Sequence, residues 1–198
     1  MHNRWWGENS IEIDAVTHHI VVDIEATCWK DWENASEMET IEIGAVKLDS
    51  DFNYVDEFSI FIRPVIHPQL SEFCIQFTSI QQTDVDTAAL FPEAFNTFLN
   101  WAGSEPFIWY SWSSYDRTRL IKDLEFHKQE IPETILQHKD LKQLYADTEG
   151  LPQQVGMRRA LKNLGVEYKG RQHRGIDDAK NTAEILRHVM QKQKQSTD

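Results

Sequence analysis

Apolar and polar positions alternate along the first third of this chain and then shift to a helical period. Residues 19–27 (HIVVDIEAT) open with the run Ile20, Val21 and Val22, and a β-branched run favours a central strand over a helix. Residues 39–48 (ETIEIGAVKL) and 54–63 (YVDEFSIFIR) alternate and predict two more strands. Turn-forming residues at 49–53 separate them, Pro64 stops the third, and the short connections make the three a meander. The polar stretch 29–39 reads as a loop. In 69–82 (QLSEFCIQFTSIQQ) the period changes, with Leu70, Phe73, Phe77 and Ile80 at helical spacing. Ser71 is placed to cap this helix and Thr78 to cap a second short one. Residues 91–101 predict an amphipathic helix with Phe91, Ala94, Phe95, Phe98 and Leu99 on one face and Pro92 near its start.

Further on, 106–110 (PFIWY) has the length and apolarity of a fourth strand. Leu120, Ile121, Leu124 and Phe126 suggest a helix over 115–127, and two more helices follow at 139–145 and 155–164, the latter ended by Gly165. Residues 166–174 read as a basic loop or short strand. The terminal helix spans 177–193, with Ala179, Ala183, Leu186, Val189 and Met190 inward. This divides the chain into a lead-in over 1–17, one domain over 18–192 and a frayed tail over 193–198. Consecutive strands followed by helices with a strand inserted predict an α/β fold, a single domain with helices packed on a mixed sheet.

At 198 residues, the chain suffices for one sizeable α/β domain. No apolar run approaches the roughly 20 residues that span a bilayer, and the first fourteen residues lack the apolar core of a signal peptide. Cys28 and Cys74 supply neither a disulfide framework nor metal-ligand spacing, so a cytoplasmic location with no membrane partner is the expectation. The net charge of −12 argues against a non-specific nucleic-acid coat protein, but not against an enzyme that holds nucleic acid through metal ions. Basic residues cluster late, at Arg117, Arg119 and Lys122, then Arg158, Arg159 and Lys162, then Lys169, Arg171 and Arg174. Each cluster alone reads as a solvated face.

The candidate chemistry begins in the first strand. Asp23 and Glu25 are two apart and share a face. Adjacent anions repel and resist burial, a conflict that a divalent cation removes and that full solvation also removes. Asp116 falls where the fourth strand gives way to a helix, Asp178 at the start of the last helix, and His173 five residues before it. Four carboxylates suit two Mg²⁺ or Mn²⁺ ions. Such a pair can hold both the attacking and the leaving oxygen of an in-line phosphoryl displacement. A histidine that titrates near neutrality can take the proton from the attacking water. Singly, Asp116 and Asp178 are also plain helix caps, His173 an exposed loop residue, and Asp177 a competitor for the ligand role. The order and spacing of the set favour the catalytic reading.

Three segments carry a resemblance: VVDIEAT with Asp23 and Glu25, YSWSSYDRTRL with Asp116, and HRGIDDAKNTAEIL with His173 and Asp178. Together they resemble the motifs of the DEDD superfamily of 3′→5′ exonucleases, in the DEDDh subtype that includes RNase T and proofreading exonucleases. HPQLSEFCIQFTSIQQTDVD, FPEAF and NLGVEYKGRQHRGIDDAKN place the likeness with the Eri-1-like exoribonuclease branch. The resemblance implies an RNase H-like fold with a five-stranded mixed sheet flanked by helices. It implies metal ligands at Asp23, Glu25, Asp116 and Asp178, with His173 as general base; the H-x4-D spacing picks Asp178 over Asp177. It places Glu25 on the terminal hydroxyl, Ala26 on the terminal sugar with Thr27 beside it, and Phe73 and Tyr115 on the terminal base. Phe77 either lines the same pocket or is a core residue one turn beyond Phe73. Lys169, Arg171 and Arg174, close to the third motif, are candidate phosphate contacts. The implied activity is release of nucleoside 5′-monophosphates from single-stranded 3′ ends, of RNA rather than DNA. A DNA exonuclease and a non-catalytic RNA-binding protein are the alternatives. The chain departs from the branch at Ser79, where glycine is usual, and at Tyr115, where tryptophan is usual. It begins close to the first motif, so stem-loop recognition by a separate domain is not expected.

Overall fold

The meander predicted by the alternating segments forms one side of a five-stranded mixed sheet in the computed structural model, which describes residues 16–31 and 34–195. The expectations for 1–15 and 196–198 lie outside the described residues. β1 (His18–Ala26), β2 (Thr40–Asp49) and β3 (Tyr54–Phe61) pair antiparallel, while β4 (Phe107–Ser111) runs parallel to β1 and β5 (His138–Asp140) parallel to β4. The order is β3-β2-β1-β4-β5, so β1 is central. A central strand has both faces covered, which is why Ile20, Val21 and Val22 are consecutive apolar residues and all fully buried.

Eight α-helices and one short 3-10 helix (Ala35–Glu37), inside the stretch expected as a loop, complete the described fold: α1 (Glu72–Thr78), α2 (Gln82–Asp86), α3 (Phe91–Ala102), α4 (Tyr115–Phe126), α5 (Glu133–Leu136), α6 (Leu141–Thr148), α7 (Met157–Asn163) and α8 (Gly175–Gln195). One face of the sheet presents Ile20, Val22, Ile24, Ile43 and Ala45 to Phe95 and Phe98 of α3 and to Leu120 and Leu124 of α4. The other presents Val21, Val46 and Leu48 to Ala179, Ala183, Leu186 and Val189 of α8, with α6 and α7 beside it. Each large side chain buried in this way stabilises the fold by roughly 1.5–3 kcal/mol.

The structure corrects several element boundaries. Residues 139–140 are not helical: the polar segment HKD forms the edge strand β5, and the Asp140 side chain then accepts from Gln143 N to start α6. A three-residue strand without apolar alternation carries no period to find. Ser71 caps α1 as expected, accepting from Cys74 N at 2.9 Å. Thr78 does not cap α2; its hydroxyl donates to Cys74 O and accepts from Ile80 N, while Gln81 and Asp84 form the capping box. Between the two helices Ser79 takes a left-handed φ of 64°, a conformation that costs glycine nothing. The buried side of α1 is Cys74 and Thr78, and Phe73 and Phe77 point outward. α8 begins at Gly175 and continues through Gln195, so 193–195 are helical.

Candidate active site

Register decides where the first two carboxylates lie. Asp23 stands opposite Gly44 and Glu25 opposite Glu42, and the pairing slips between Glu25 and Ala26. Such an irregularity re-aims side chains at a strand end. Both acids fall on the face that α8 covers. Gly44 makes that cover possible: a Cβ there would lie 2.0 Å from Gly175 C, so α8 begins in contact with the β2 backbone. Glu42, fully buried, fixes the contact by accepting from Gly175 N and Arg174 Nε, both at 3.1 Å, and from Ser59 Oγ. Sequence reasoning missed both residues. The signal for Gly44 was a glycine inside a strand, which marks a close backbone approach.

Asp178, one turn into α8, is held at both oxygens. Oδ1 accepts from the Tyr168 hydroxyl and Oδ2 from His173 N, each at 2.8 Å. Asp177 faces away from this cluster and braces the preceding loop, accepting from Arg171 N. Asp116 enters from the opposite layer at the start of α4, where its Oδ1 accepts from Ile24 N at 3.1 Å. His173 sits in a left-handed conformation, φ 62°, with its ring stacked on Phe77 at 3.8 Å. A strained backbone of this kind persists where its surroundings over-determine it. Tyr168 was the third residue missed, and nothing in its spacing marks it.

The structure brings Asp23, Glu25, Asp116, His173 and Asp178 to one cavity of about 580 Å³. Burial and the neighbouring acids push Glu25 up to about 9 and Asp23 well above the usual carboxylate range. Burial raises Asp116 to about 6, against the hydrogen bond from Ile24, and raises Asp178 as well. No described ion pair involves any of the four. Ligand atoms of Glu25, His173 and Asp178 all lie within 4.8 Å of one another. The four carboxylates, hard oxygen donors crowded together with no cation beside them among the described residues, fit divalent cations. Burial lowers the His173 imidazole, with Asp178 opposing.

The cavity also receives Ala26, Phe73, Phe77 and Tyr115. Phe73 and Phe77 stack on each other at 5.5 Å and stand 36% and 42% exposed, so Phe77 is a wall of the cavity and not a core residue. Thr27 does not line it: the side chain is buried and Oγ1 accepts from Glu39 N at 2.9 Å. Arg174 is engaged with Glu42 and lies over the Phe61 ring.

A mixed sheet of this order, with acids from β1, α4 and α8 gathered at the end of its central strand, defines an RNase H-like fold of the DEDDh nuclease type. The chain belongs to the RNase T exonuclease family, whose model matches residues 20–186. It is 30% identical over 188 residues to human ERI1 exoribonuclease 2, covering 83% of this chain and 27% of that protein. It is 27% identical over 205 residues to the 3′-5′ exonuclease eri1 of Schizosaccharomyces pombe, covering 86% and 67%. The nuclease domain of 3′hExo, a DEDDh family member bound to rAMP, superposes with a TM-score of 0.84 at 28% identity, covering 89% of this chain and 92% of that one. The chain spans about a quarter to a third of the length of its ERI1 exoribonuclease 2 relatives. The DEDDh family depends on divalent metal.

Proposed function

We propose that this chain is a divalent-metal-dependent 3′→5′ exonuclease that removes nucleoside 5′-monophosphates from single-stranded 3′ ends, RNA in preference to DNA. The observation that carries the reading is the meeting of four charge-frustrated carboxylates with one histidine in a single aromatic-walled cavity. Relatives named exoribonucleases and a neighbour bound to rAMP support RNA as the substrate.

Asp23, Glu25, Asp116 and Asp178 are the residues to hold two Mg²⁺ or Mn²⁺ ions. When bound, these ions stabilise charge on the attacking and leaving oxygens of the phosphodiester. His173 is the general base. Burial lowers its imidazole and so favours the neutral ring, and a neutral ring nitrogen accepts the proton of the attacking water. Phe77, flat against that ring, holds it in one orientation. Phe73 and Tyr115 stack the terminal base, contacts worth about 1–3 kcal/mol per base and tolerant of sequence. Glu25 receives the terminal hydroxyl and the Ala26 amide the terminal sugar. Thr27 serves the site by tying residues 25–28 to Glu39 rather than by touching substrate. The exonuclease domain spans 18–192. The cytoplasm is the compartment this reading implies, supported by two free thiols, Cys28 and Cys74, and by the absence among the described residues of any helix long and apolar enough to cross a membrane.

Asp23→Asn and His173→Ala are the variants that test the roles. Each is expected to lose about a thousandfold in kcat while keeping the wild-type circular dichroism spectrum. Wild-type turnover in either would overturn the mechanism. Competition between matched RNA and DNA oligonucleotides tests the sugar preference, and equal rates would remove it.

A further inference from the structure

A second hollow, about 600 Å³, lies along α7, with three cations and one acid, Glu167, in its lining. Arg158, Arg159 and Lys162 line it, with Tyr168 on another wall. Residues 156–176 contain six cations (Arg158, Arg159, Lys162, Lys169, Arg171 and Arg174) and one acid, Glu167, in a chain whose net charge is −12. Elsewhere on the surface some cations sit in pairs, such as Lys180–Glu57, Arg187–Glu184 and Lys194–Asp51, and others, Lys30, Arg63, Lys122 and Lys128, are exposed outside any described ion pair but scattered along the chain. Arg159 and Lys162 are exposed and enter no described ion pair. Un-neutralised like charges on an otherwise acidic surface raise the local concentration of a polyanion.

The hollow and the active cavity share no lining residue, but Arg158 of the hollow reaches the rim of the cavity. Met157 and Gln172 line the cavity. Arg158 follows Met157 in sequence, and its Nη1 donates to Gln172 Oε1 at 3.1 Å. Its guanidinium lies 5.6 Å from the centre of the Tyr168 ring, and the hydroxyl of that ring holds Asp178. A strand leaving the carboxylates on this side therefore meets Arg158 first, then Arg159 and Lys162. Resting on the exonuclease reading of the cavity, we propose that the α7 hollow is a track for the upstream phosphodiester backbone of a single strand, with Arg159 and Lys162 as phosphate contacts. Contacts to phosphates position a strand without reading its bases. The track also answers an electrostatic problem, because the four carboxylates repel the polymer that the site must admit. An acidic polypeptide is the other polyanion such a surface attracts, but nothing about a polypeptide requires Arg158 to stand at the rim of the carboxylate cavity.

The test measures binding of 5′-fluorescent single-stranded RNA 12-mers and 3-mers by anisotropy, in EDTA, across a salt series. It compares the wild type with the double variant Arg159→Gln/Lys162→Gln. Both side chains are exposed, so the fold does not depend on them. The wild type is expected to favour the 12-mer. The variant is expected to lose about tenfold of that preference at low salt, and its log–log salt slope is expected to be shallower by about 1.4, two single-strand phosphate contacts. Equal preference and equal slope in the two proteins would overturn the track, as would stronger binding of poly-glutamate than of the 12-mer through these two residues. A wild type that binds the 12-mer through them but leaves it uncut in Mg²⁺ and Mn²⁺ would overturn the exonuclease reading and leave the track standing.

Discussion

Asp178 shows how one residue is prepared for its role. Its oxygens are held by the Tyr168 hydroxyl and the His173 amide, both at 2.8 Å. Tyr168→Phe removes one of these and leaves the ring in place. Outer partners of metal ligands typically contribute 10–100-fold in affinity. The variant is expected to bind Mn²⁺ about tenfold more weakly by calorimetry, with kcat at saturating metal near the wild-type value. Unchanged Mn²⁺ affinity would make Tyr168 a packing residue only. At this scale much was legible in sequence: Asp23, Glu25, Asp116, His173 and Asp178 announce themselves by spacing and motif, and the structure gathers all five. Their supports were not legible. Tyr168 and Glu42 act through the fold, at separations of 10 and 133 residues from Asp178 and Gly175, and no local pattern encodes such partners. Thr27 lies just beyond the register slip and the end of β1, where its hydroxyl accepts from Glu39 N, and no spacing in the sequence encodes that partner.

Among the elements, the contact between β2 and the start of α8 governs the site. Gly44 and Gly175 approach so closely that a methyl group at Gly44 would overlap the Gly175 carbonyl carbon and Ile176 N. Backbone cannot yield as a flexible side chain does, so Gly44→Ala is expected to exceed the usual 1–3 kcal/mol of overpacking. It should lower the Tm and, by lifting His173 and Asp178 away from Asp23, reduce kcat as well. Wild-type Tm and kcat in the Gly44→Ala variant would contradict this account of the packing. The glycine inside ETIEIGAVKL was visible evidence for the contact. β5 was not visible, because its edge position asks for polar residues and its three positions hold no period. α1 left Phe77 open between pocket and core for a different reason. Phe73 and Phe77 have the spacing of a core face, but periodicity reports that a face is apolar and not what covers it. Here it fronts the cavity, so aromatics meant for a ligand look like aromatics meant for a core.

Across the whole molecule, buried titratable groups make stability depend on pH. His19, on β1, is 8% exposed, stacked on Phe52 at 4.1 Å and 3.3 Å from the Tyr110 hydroxyl. Burial pushes its imidazole down to about 4 from 6.5. Above pH 6.5 both folded and unfolded states are neutral there and nothing is lost. Below it the unfolded chain takes a proton that the folded one refuses, so stability falls, by about 2 kcal/mol at pH 5 from this residue. The buried carboxylates of the cavity, with raised values, act in the opposite sense but are common to both proteins, so between pH 7.5 and 5.0 urea unfolding should show the stability of the wild type changing by about 2 kcal/mol less favourably than that of His19→Gln. An equal change in the two would place the titrating group elsewhere.

The metal-dependent site proposed at the end of β1 is the central claim, and one time course addresses it directly. A 5′-labelled single-stranded RNA incubated with the protein in Mg²⁺ or Mn²⁺ should shorten one nucleotide at a time from its 3′ end. The ladder should disappear in EDTA and in His173→Ala. Internal cuts, loss of the 5′ nucleotide first, or a ladder that persists in EDTA would contradict it.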